Sequence, residues 1–427
     1  MANYKLTFSS WKISVTLISY MSESSSASLL HSLAAPEVQQ YLQGHEHDDE
    51  QKLILKHKSL FGIPTAALAE QLRGRRKAKD KLPSYYATTG IVYPPSVNLE
   101  QSSSEASANF KAEVIQRFLP ECKSCADLTS GFGVDSYFFS KAFDHVDYVE
   151  PNQTLLEITR HSHEKLKAKN ISYQAITAEG FLLQTNKRFN LLYLDPARRD
   201  KANKKVFRFS SCEPDVTALT SSLFAKADFI LIKASPLIDL QQGVQELRNV
   251  RAIFILSVKN ECKEVLFLCQ SFWSGEPTIH AVNLQDNDKE EFSFARTEEK
   301  AAVAEFSEPL TYLYEPNTSI LKAGAFKLVS VKFRLNKLHA NTHLYTSNEF
   351  VKDFPGRVYK VKAVVKPVPA AIKAFFITGK ANVVTRNYPL AAETLKKKMK
   401  LTDGGDHYLI GFTAREKKYT VVADRLK

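Results

Sequence analysis

A length of 427 residues, with 44% hydrophobic and 24% charged side chains, gives room for roughly two to four ordinary domains and excludes a largely disordered chain. Five scattered cysteines (Cys122, Cys125, Cys212, Cys262 and Cys269) do not form a secreted disulfide framework and fit a reducing cytoplasm. The early apolar stretch from Ile13 to Tyr20 falls far short of the roughly 20 residues that cross a bilayer, so no membrane span is expected.

That stretch lacks a small-residue cleavage site, and residues 1–20 read as a disordered extension. The net charge of +12 is unevenly spread. Residues 351–427 hold 13 Lys and 4 Arg against 6 acidic residues, so nearly all of the excess lies in this last segment. A local basic module predicts a polyanionic partner, because phosphate neutralisation releases counterions whatever the base sequence. A merely solvated charged surface is the alternative.

In residues 21–103 the apolar positions from Leu29 to Leu72 recur at helical spacing, predicting a helical region. It runs into Arg73, Arg75, Arg76 and Lys77, followed by Tyr85, Tyr86 and Tyr93. Cations beside aromatics suit phosphates and stacked bases, and these four are candidate RNA contacts. The same run also suits the solvated end of a helix. Ser102 and Glu105 have capping-box spacing, and Phe110, Val114, Ile115 and Phe118 share the face of a helix that Pro120 stops.

Short apolar runs then alternate with helical segments: Cys125 to Thr129, Val146 to Glu150, Ile171 to Thr177, Leu191 to Asp195, Phe229 to Ser235 and Arg251 to Val258. This rhythm predicts an α/β domain over 104–275, a parallel sheet covered by helices. The next run, Val265 to Phe272, follows too closely for a helical crossover and should pair antiparallel. Beyond residue 275, turn signals at Glu315-Pro-Asn, Phe354-Pro-Gly and Asp403-Gly-Gly mark shorter α+β modules.

Three strand ends carry chemistry. Asp127-Leu-Thr129-Ser-Gly131-Phe-Gly133 follows the first strand, and its glycines let the backbone approach a ligand at the carboxyl edge of the sheet. A nicotinamide or flavin fingerprint would want a third glycine where Ser136 stands. The second strand ends at Glu150, spaced to reach a ribose diol. The fourth ends in Asp195-Pro196-Ala197-Arg198-Arg199, a carboxylate and two guanidinium groups on the same rim. Cys122 and Cys125 have metal-pair spacing but no second pair, and no metal is expected. Cys262, after the sixth strand, is a weak candidate nucleophile.

The order of glycine loop, ribose acid and Asp-Pro segment resembles the class I S-adenosylmethionine-dependent methyltransferases, whose domain is Rossmann-like. Leu99-Glu-Gln-Ser-Ser-Ser-Glu105, Ile232-Lys-Ala-Ser-Pro-Leu-Ile-Asp239, Val258-Lys-Asn-Glu-Cys-Lys-Glu264, Tyr312-Leu-Tyr-Glu-Pro-Asn317 and Thr385-Arg-Asn-Tyr-Pro389 narrow this to the bacterial methyltransferase family with a C-terminal THUMP-like domain. The resemblance implies a ferredoxin-like domain over 276–350 and a basic THUMP-like domain over 351–427. It implies S-adenosylmethionine held by Asp127, Thr129, Gly131, Gly133 and Glu150. Thr177 or Glu179 would lie on its adenine side, and Asp195 would face the reacting methyl. THUMP domains are associated with RNA, and Arg386, Lys396, Lys397, Lys398 and Lys400 are the tail's candidate contacts.

The implied activity is methylation of a base in structured RNA, a tRNA or rRNA, with Asp195 and Arg198 as catalytic candidates. Two departures bear on the target atom. Ala197 and Arg198 stand where amine-directed enzymes have a proline and a stacking aromatic, and Ser235-Pro236 stands where the 5-methyluridine enzymes carry a nucleophilic cysteine. The alternatives are a non-catalytic RNA-binding protein with a degenerate methyltransferase fold, and a methyltransferase for a small molecule or protein.

Overall fold

Periodic apolar residues between Leu33 and Val92 close a core of Leu33, Val38, Leu42, Ile63, Leu68, Leu72 and Val92 beneath short helices and the longer helix Thr65–Lys81. The structure, a computed structural model, describes residues 23–198, 208–286 and 288–427. The 1–20 extension and Arg199 lie outside these residues. Two compact units divide the chain. One takes it up to Ala234 with Gln241–Asn249 and Leu268–Trp273; the other takes Ser235–Leu240, Val250–Phe267 and Ser274–Lys427.

The helix leading into the sheet spans Glu105–Phe118, and its cap differs from the expected one. Ser104, not Ser102, is the N-cap and accepts the Ser107 N–H at 3.2 Å. Ser104 has the extended backbone that an N-cap needs. Glu105 accepts the Ser84 N–H at 2.8 Å and the Ser84 hydroxyl at 2.5 Å, tying this helix to the helical region.

The strands of the first sheet are β1 (Ser124–Asp127), β2 (His145–Val149), β3 (Ile171–Gln174), β4 (Phe189–Leu194), β5 (Ala227–Ala234), β6 (Val250–Val258), β7 (Glu261–Gln270), β8 (Thr278–Leu284) and β9 (Lys289–Ala295). Their order is β3-β2-β1-β4-β5-β7-β6-β8-β9. β1 pairs in parallel with β2, Cys125 opposite Val146, and with β4, Cys125 opposite Leu191. The apolar runs of β1, β2, β4, β5, β6 and β7 are largely buried, as a helix-covered parallel sheet requires, whereas the edge strand β3 is only half-buried. β6 and β7 are joined by Lys259 and Asn260, both at positive φ, 50° and 63°. Such a two-residue turn forces an antiparallel hairpin, in keeping with the short spacing. β8 runs parallel to β6 and β9 antiparallel to β8, so Thr278–Ala295, placed by the sequence in the ferredoxin-like segment, extends this sheet.

The second sheet contains β10 (Tyr312–Pro316), β11 (Asn336–His339), β12 (Thr342–Ser347), β13 (Gly356–Val364), β14 (Asn382–Arg386), β15 (His407–Ala414) and β16 (Lys417–Arg425), in the order β11-β12-β10-β13-β16-β15-β14. β10 pairs antiparallel with both β12 and β13, Leu313 opposite Thr346 and Tyr359. Leu313, Leu338, Tyr359, Ile410, Phe412 and Val421 form its core.

Candidate active site

β1 ends at Asp127, and the chain turns back under left-handed backbone at Gly131 (φ 53°) and Gly133 (φ 67°) before the helix Val134–Phe139. The two glycines are needed for different reasons. A Cβ on Gly133 would meet Thr159 Cγ2 at 2.5 Å and His163 Cε1 at 2.8 Å, so this glycine allows the helix Gln153–Lys165 to pack close. A Cβ on Gly131 would meet nothing within 4 Å, so its backbone borders open space where a ligand can lie against the chain.

Glu150, just past β2, accepts the Gly131 N–H at 3.1 Å with one oxygen and the Asn152 N–H at 2.9 Å with the other. Burial raises its pKa from the ordinary value, and these two N–H bonds oppose the rise. Each oxygen keeps a further lone-pair direction for a hydroxyl donor. The Tyr148 hydroxyl donates to the Gly131 carbonyl at 2.6 Å, holding the loop against β2. Thr129 accepts the Asp195 N–H at 2.6 Å, joining the loops after β1 and β4.

Asp127 lies beneath this surface. It accepts the Ser136 hydroxyl at 2.6 Å and the Thr129 N–H at 3.2 Å. Burial pushes its carboxyl up to about 7; the charges of Asp135 and Asp195 add to this, and the two hydrogen bonds oppose it. His163 is fully buried, its Nε2 3.0 Å from the Gly133 carbonyl and its Nδ1 3.0 Å from the Tyr173 hydroxyl, and burial holds its pKa down at about 4.

Several residues of this site escaped the sequence reading. Lys111 interrupts the apolar face of its helix and is wholly buried; its Nζ donates to Asp135 Oδ1 at 3.1 Å and to Ser103 at 2.9 Å. Asp135 also accepts the Ser103 hydroxyl at 2.8 Å and the Tyr193 hydroxyl at 2.9 Å. Burial opposes its ionisation, but Lys111 and Lys233 prevail and its carboxyl stays below the ordinary value. Lys233, near the end of β5, lies 2.5 Å from Asp195 Oδ2, its side chain 14% exposed against 34% for Asp195. A lysine inside the apolar run Phe229–Ala234 was the available signal for it.

Thr177 and Glu179 stand apart from these contacts. Thr177 caps the helix Ala178–Gln184, accepting the Gly180 N–H at 3.1 Å, and Glu179 is exposed. Ala197–Arg198 forms a short antiparallel ladder with Cys212–Glu213. Burial pushes the Cys262 thiol up, which disfavours its thiolate. Cys122 and Cys125 are pushed up in the same way, and no group of metal-ligating side chains occurs among the described residues.

The first set of candidate RNA contacts is engaged by carboxylates. Arg73 pairs with Glu50 and Glu70, Arg75 with Glu46 at 3.0 Å while lying over the Tyr86 ring, Arg76 with Glu50, and Lys77 with Glu100 at 2.5 Å. In the tail, Arg386 pairs with the buried Glu315 at 2.5 Å, and Lys396 bridges Glu393 and Asp403 at 2.8 and 2.7 Å. Lys397, Lys398 and Lys400 are exposed.

Two family comparisons match the second sheet. Residues 312–355 match a ferredoxin-like domain and residues 356–425 a THUMP-like domain. The solved structure of a proposed methyltransferase from Porphyromonas gingivalis W83 aligns with a TM-score of 0.81 at 28% identity, covering 91% of this chain and 97% of that one. The chain is similar to that proposed methyltransferase over most of its length, and its C-terminal part carries the ferredoxin-like and THUMP-like domains. Its α/β domain has the class I methyltransferase fold. The THUMP-like domain begins at β13, so both C-terminal domains share one sheet.

A proposed methyltransferase from Streptococcus mutans, solved with S-adenosylhomocysteine, aligns with a TM-score of 0.29 at 13% identity over 37% of this chain and 94% of its own. An rRNA methylase from Streptococcus thermophilus aligns with a TM-score of 0.28 at 16% identity over 39% and 94%. No curated protein matches the chain. No described helix is long and apolar enough to cross a membrane.

Proposed function

We propose that the protein is an S-adenosylmethionine-dependent methyltransferase acting on structured RNA, a tRNA or rRNA, in the cytoplasm. The observation that carries this reading is the joined rim of Gly131, Glu150, Thr129 and Asp195. The open side of Gly131 and the remaining lone pairs of Glu150 suit a nucleoside ribose, and Asp127, Thr129 and Gly133 complete the loop beside it. Thr177 and Glu179 remain the candidates for the adenine side. When bound, S-adenosylmethionine supplies an activated sulfonium methyl. The protein's part is then to align a nucleophile, exclude water and take up a proton.

Asp195, tied by its own N–H to Thr129, sits beside the ligand loop with a partly exposed carboxylate. It is placed to accept a hydrogen bond from the nucleophile, and Arg198 follows it in sequence as a candidate for a neighbouring phosphate. The THUMP-like domain supports RNA as the partner, since domains of that kind are associated with RNA and this one carries the chain's basic excess. The target expected from the sequence is a base, although Ala197 takes the place of a stacking aromatic.

Two measurements test the reading. Calorimetry should show S-adenosylmethionine binding to the intact chain. Mass spectrometry of RNA nucleosides from cells with and without the gene should show one methylated nucleoside that depends on it. A folded chain with no binding at millimolar cofactor would exclude the proposal.

A further inference from the structure

We infer that the methyl acceptor is a ribose 2′-hydroxyl of RNA, held between Lys233 and Asp195; this rests on the RNA-methyltransferase reading. The pair is a cation and a carboxylate in direct contact, 2.5 Å from Lys233 Nζ to Asp195 Oδ2. The carboxylate is the more exposed partner, and the ammonium lies under it on β5. The charge of Lys233 also favours ionisation of the buried Asp135, to which Lys111 donates at 3.1 Å. A largely buried ammonium in contact with a partly exposed carboxylate is thus built into the rim.

The hydrogen-bonding inventory of each nucleophile decides between them. A hydroxyl has one proton to give and two lone pairs. It can donate to Asp195, accept from Lys233 and still point one lone pair at the methyl. An exocyclic amine has two N–H donors and wants two acceptors, so here one N–H would face an ammonium. Methylation at carbon by the uridine route needs a cysteine nucleophile at the end of β5, where Ala234, Ser235 and Pro236 stand. A ring N–H beside a carbonyl could also bridge the pair, but a base held flat wants a stacking face, and the residue after the Asp-Pro step is the exposed Ala197. The RNA 2′-hydroxyl is a donor and acceptor at once and marks RNA apart from DNA.

In the transfer, a new bond forms between the hydroxyl oxygen and the methyl carbon as the carbon–sulfur bond breaks. That bonding pair leaves with sulfur, turning the sulfonium into a neutral thioether. The hydroxyl proton passes to the Asp195 carboxylate and then to solvent, so charge and atoms balance. Even a weakly basic carboxylate suffices, because the oxygen becomes strongly acidic as it gains the methyl.

The experiment gives the full chain methyl-tritiated S-adenosylmethionine and total RNA from cells lacking the gene, then hydrolyses the RNA in alkali. A 2′-O-methyl group removes the nucleophile that alkali uses, so label at ribose survives in dinucleotides, and label on a base is released in mononucleotides. Label is expected in the dinucleotides. Lys233→Met should lower incorporation at least 100-fold, and calorimetry should find its S-adenosylmethionine binding weakened no more than threefold. Lys233→Arg should retain part of the activity. Label in mononucleotides would overturn the inference and leave the RNA-methyltransferase reading standing, whereas label in neither fraction would overturn both. Undiminished incorporation by Lys233→Met would also overturn it. The fractionation uses the wild-type chain and decides the target whether or not the variants fold.

Discussion

Glu150 accepts the backbone N–H of Gly131 at 3.1 Å, so the acid after β2 and the glycine loop after β1 form one rigid edge. A ribose bound there would add hydroxyl donors to a carboxylate already oriented by two backbone groups. Glu150→Ala should therefore weaken S-adenosylmethionine binding by about 1 to 3 kcal/mol, through loss of a charged acceptor. Titration calorimetry on the folded variant measures this directly. Unchanged affinity would remove Glu150 from the cofactor site.

Asp195→Ala should act differently, because its carboxylate is assigned to the nucleophile and not to the cofactor. Removing it should lower turnover more than it lowers cofactor affinity, the pattern of an interaction made in the transition state. Single-turnover methylation of the RNA, set beside calorimetry, separates the two. Equal turnover in variant and wild type would show that Asp195 takes no part in the transfer.

The strand ends that carry this site were legible because each apolar run stops at a charged residue: Asp127 at the end of β1, Glu150 after β2, Asp195 after β4. The pairings beneath them were not. Asp195 and Lys233 are 38 residues apart, and Lys111 and Asp135 are 24 apart. Periodicity places residues on a face but does not say what faces them. The same limit explains Arg73 to Lys77, a cationic run in sequence whose carboxylates come from other elements, Glu46 from a turn and Glu50 and Glu100 from short helices. At Ser102 to Glu105 three consecutive serines offered three caps; Ser102 is equally extended but its hydroxyl donates to the Leu99 carbonyl, and Ser104 is the one that accepts the Ser107 N–H. Thr177 looked like the end of a strand because β-branched residues suit strands, yet its hydroxyl caps the following helix.

The buried Asp127 makes a prediction about pH. Its carboxyl is raised to about 7 from an ordinary value near 3.8, so between these limits the folded chain holds a proton that the unfolded chain has released. This group's contribution to stability is greatest at low pH and declines as pH rises through 7. Asp127→Asn should gain stability relative to wild type across that window, by at most about 4 kcal/mol at 1.36 kcal/mol per unit. His163 works in the opposite direction: its folded pKa of about 4 costs stability as pH falls below 6.5. The comparison must therefore be variant against wild type at each pH, by chemical denaturation. A difference that does not change between pH 4 and 7 would contradict a raised Asp127.

RNA affinity should depend on the exposed lysines of the tail. Lys397, Lys398 and Lys400 reach solvent around the helix Ala392–Lys398, whereas Lys396 is held by Glu393 and Asp403 and Arg386 by Glu315. If the exposed three touch phosphates, log affinity falls linearly with log salt, and each contact contributes about 0.7 to 0.9 to the slope. Replacing all three with Gln should shallow the slope by about 2 to 3 and weaken binding at low salt. Lys396→Gln should leave the slope nearly unchanged, because that ammonium is already neutralised within the fold. Truncating the chain after Asn348 would be a poorer test. It removes β13, the antiparallel partner of Tyr312–Pro316, and so strips the remaining sheet of a buried neighbour while it removes the charge. Substitution on an intact sheet changes the charge alone. If the triple variant keeps both slope and affinity, these lysines are a solvated helix face, and the RNA is gripped elsewhere.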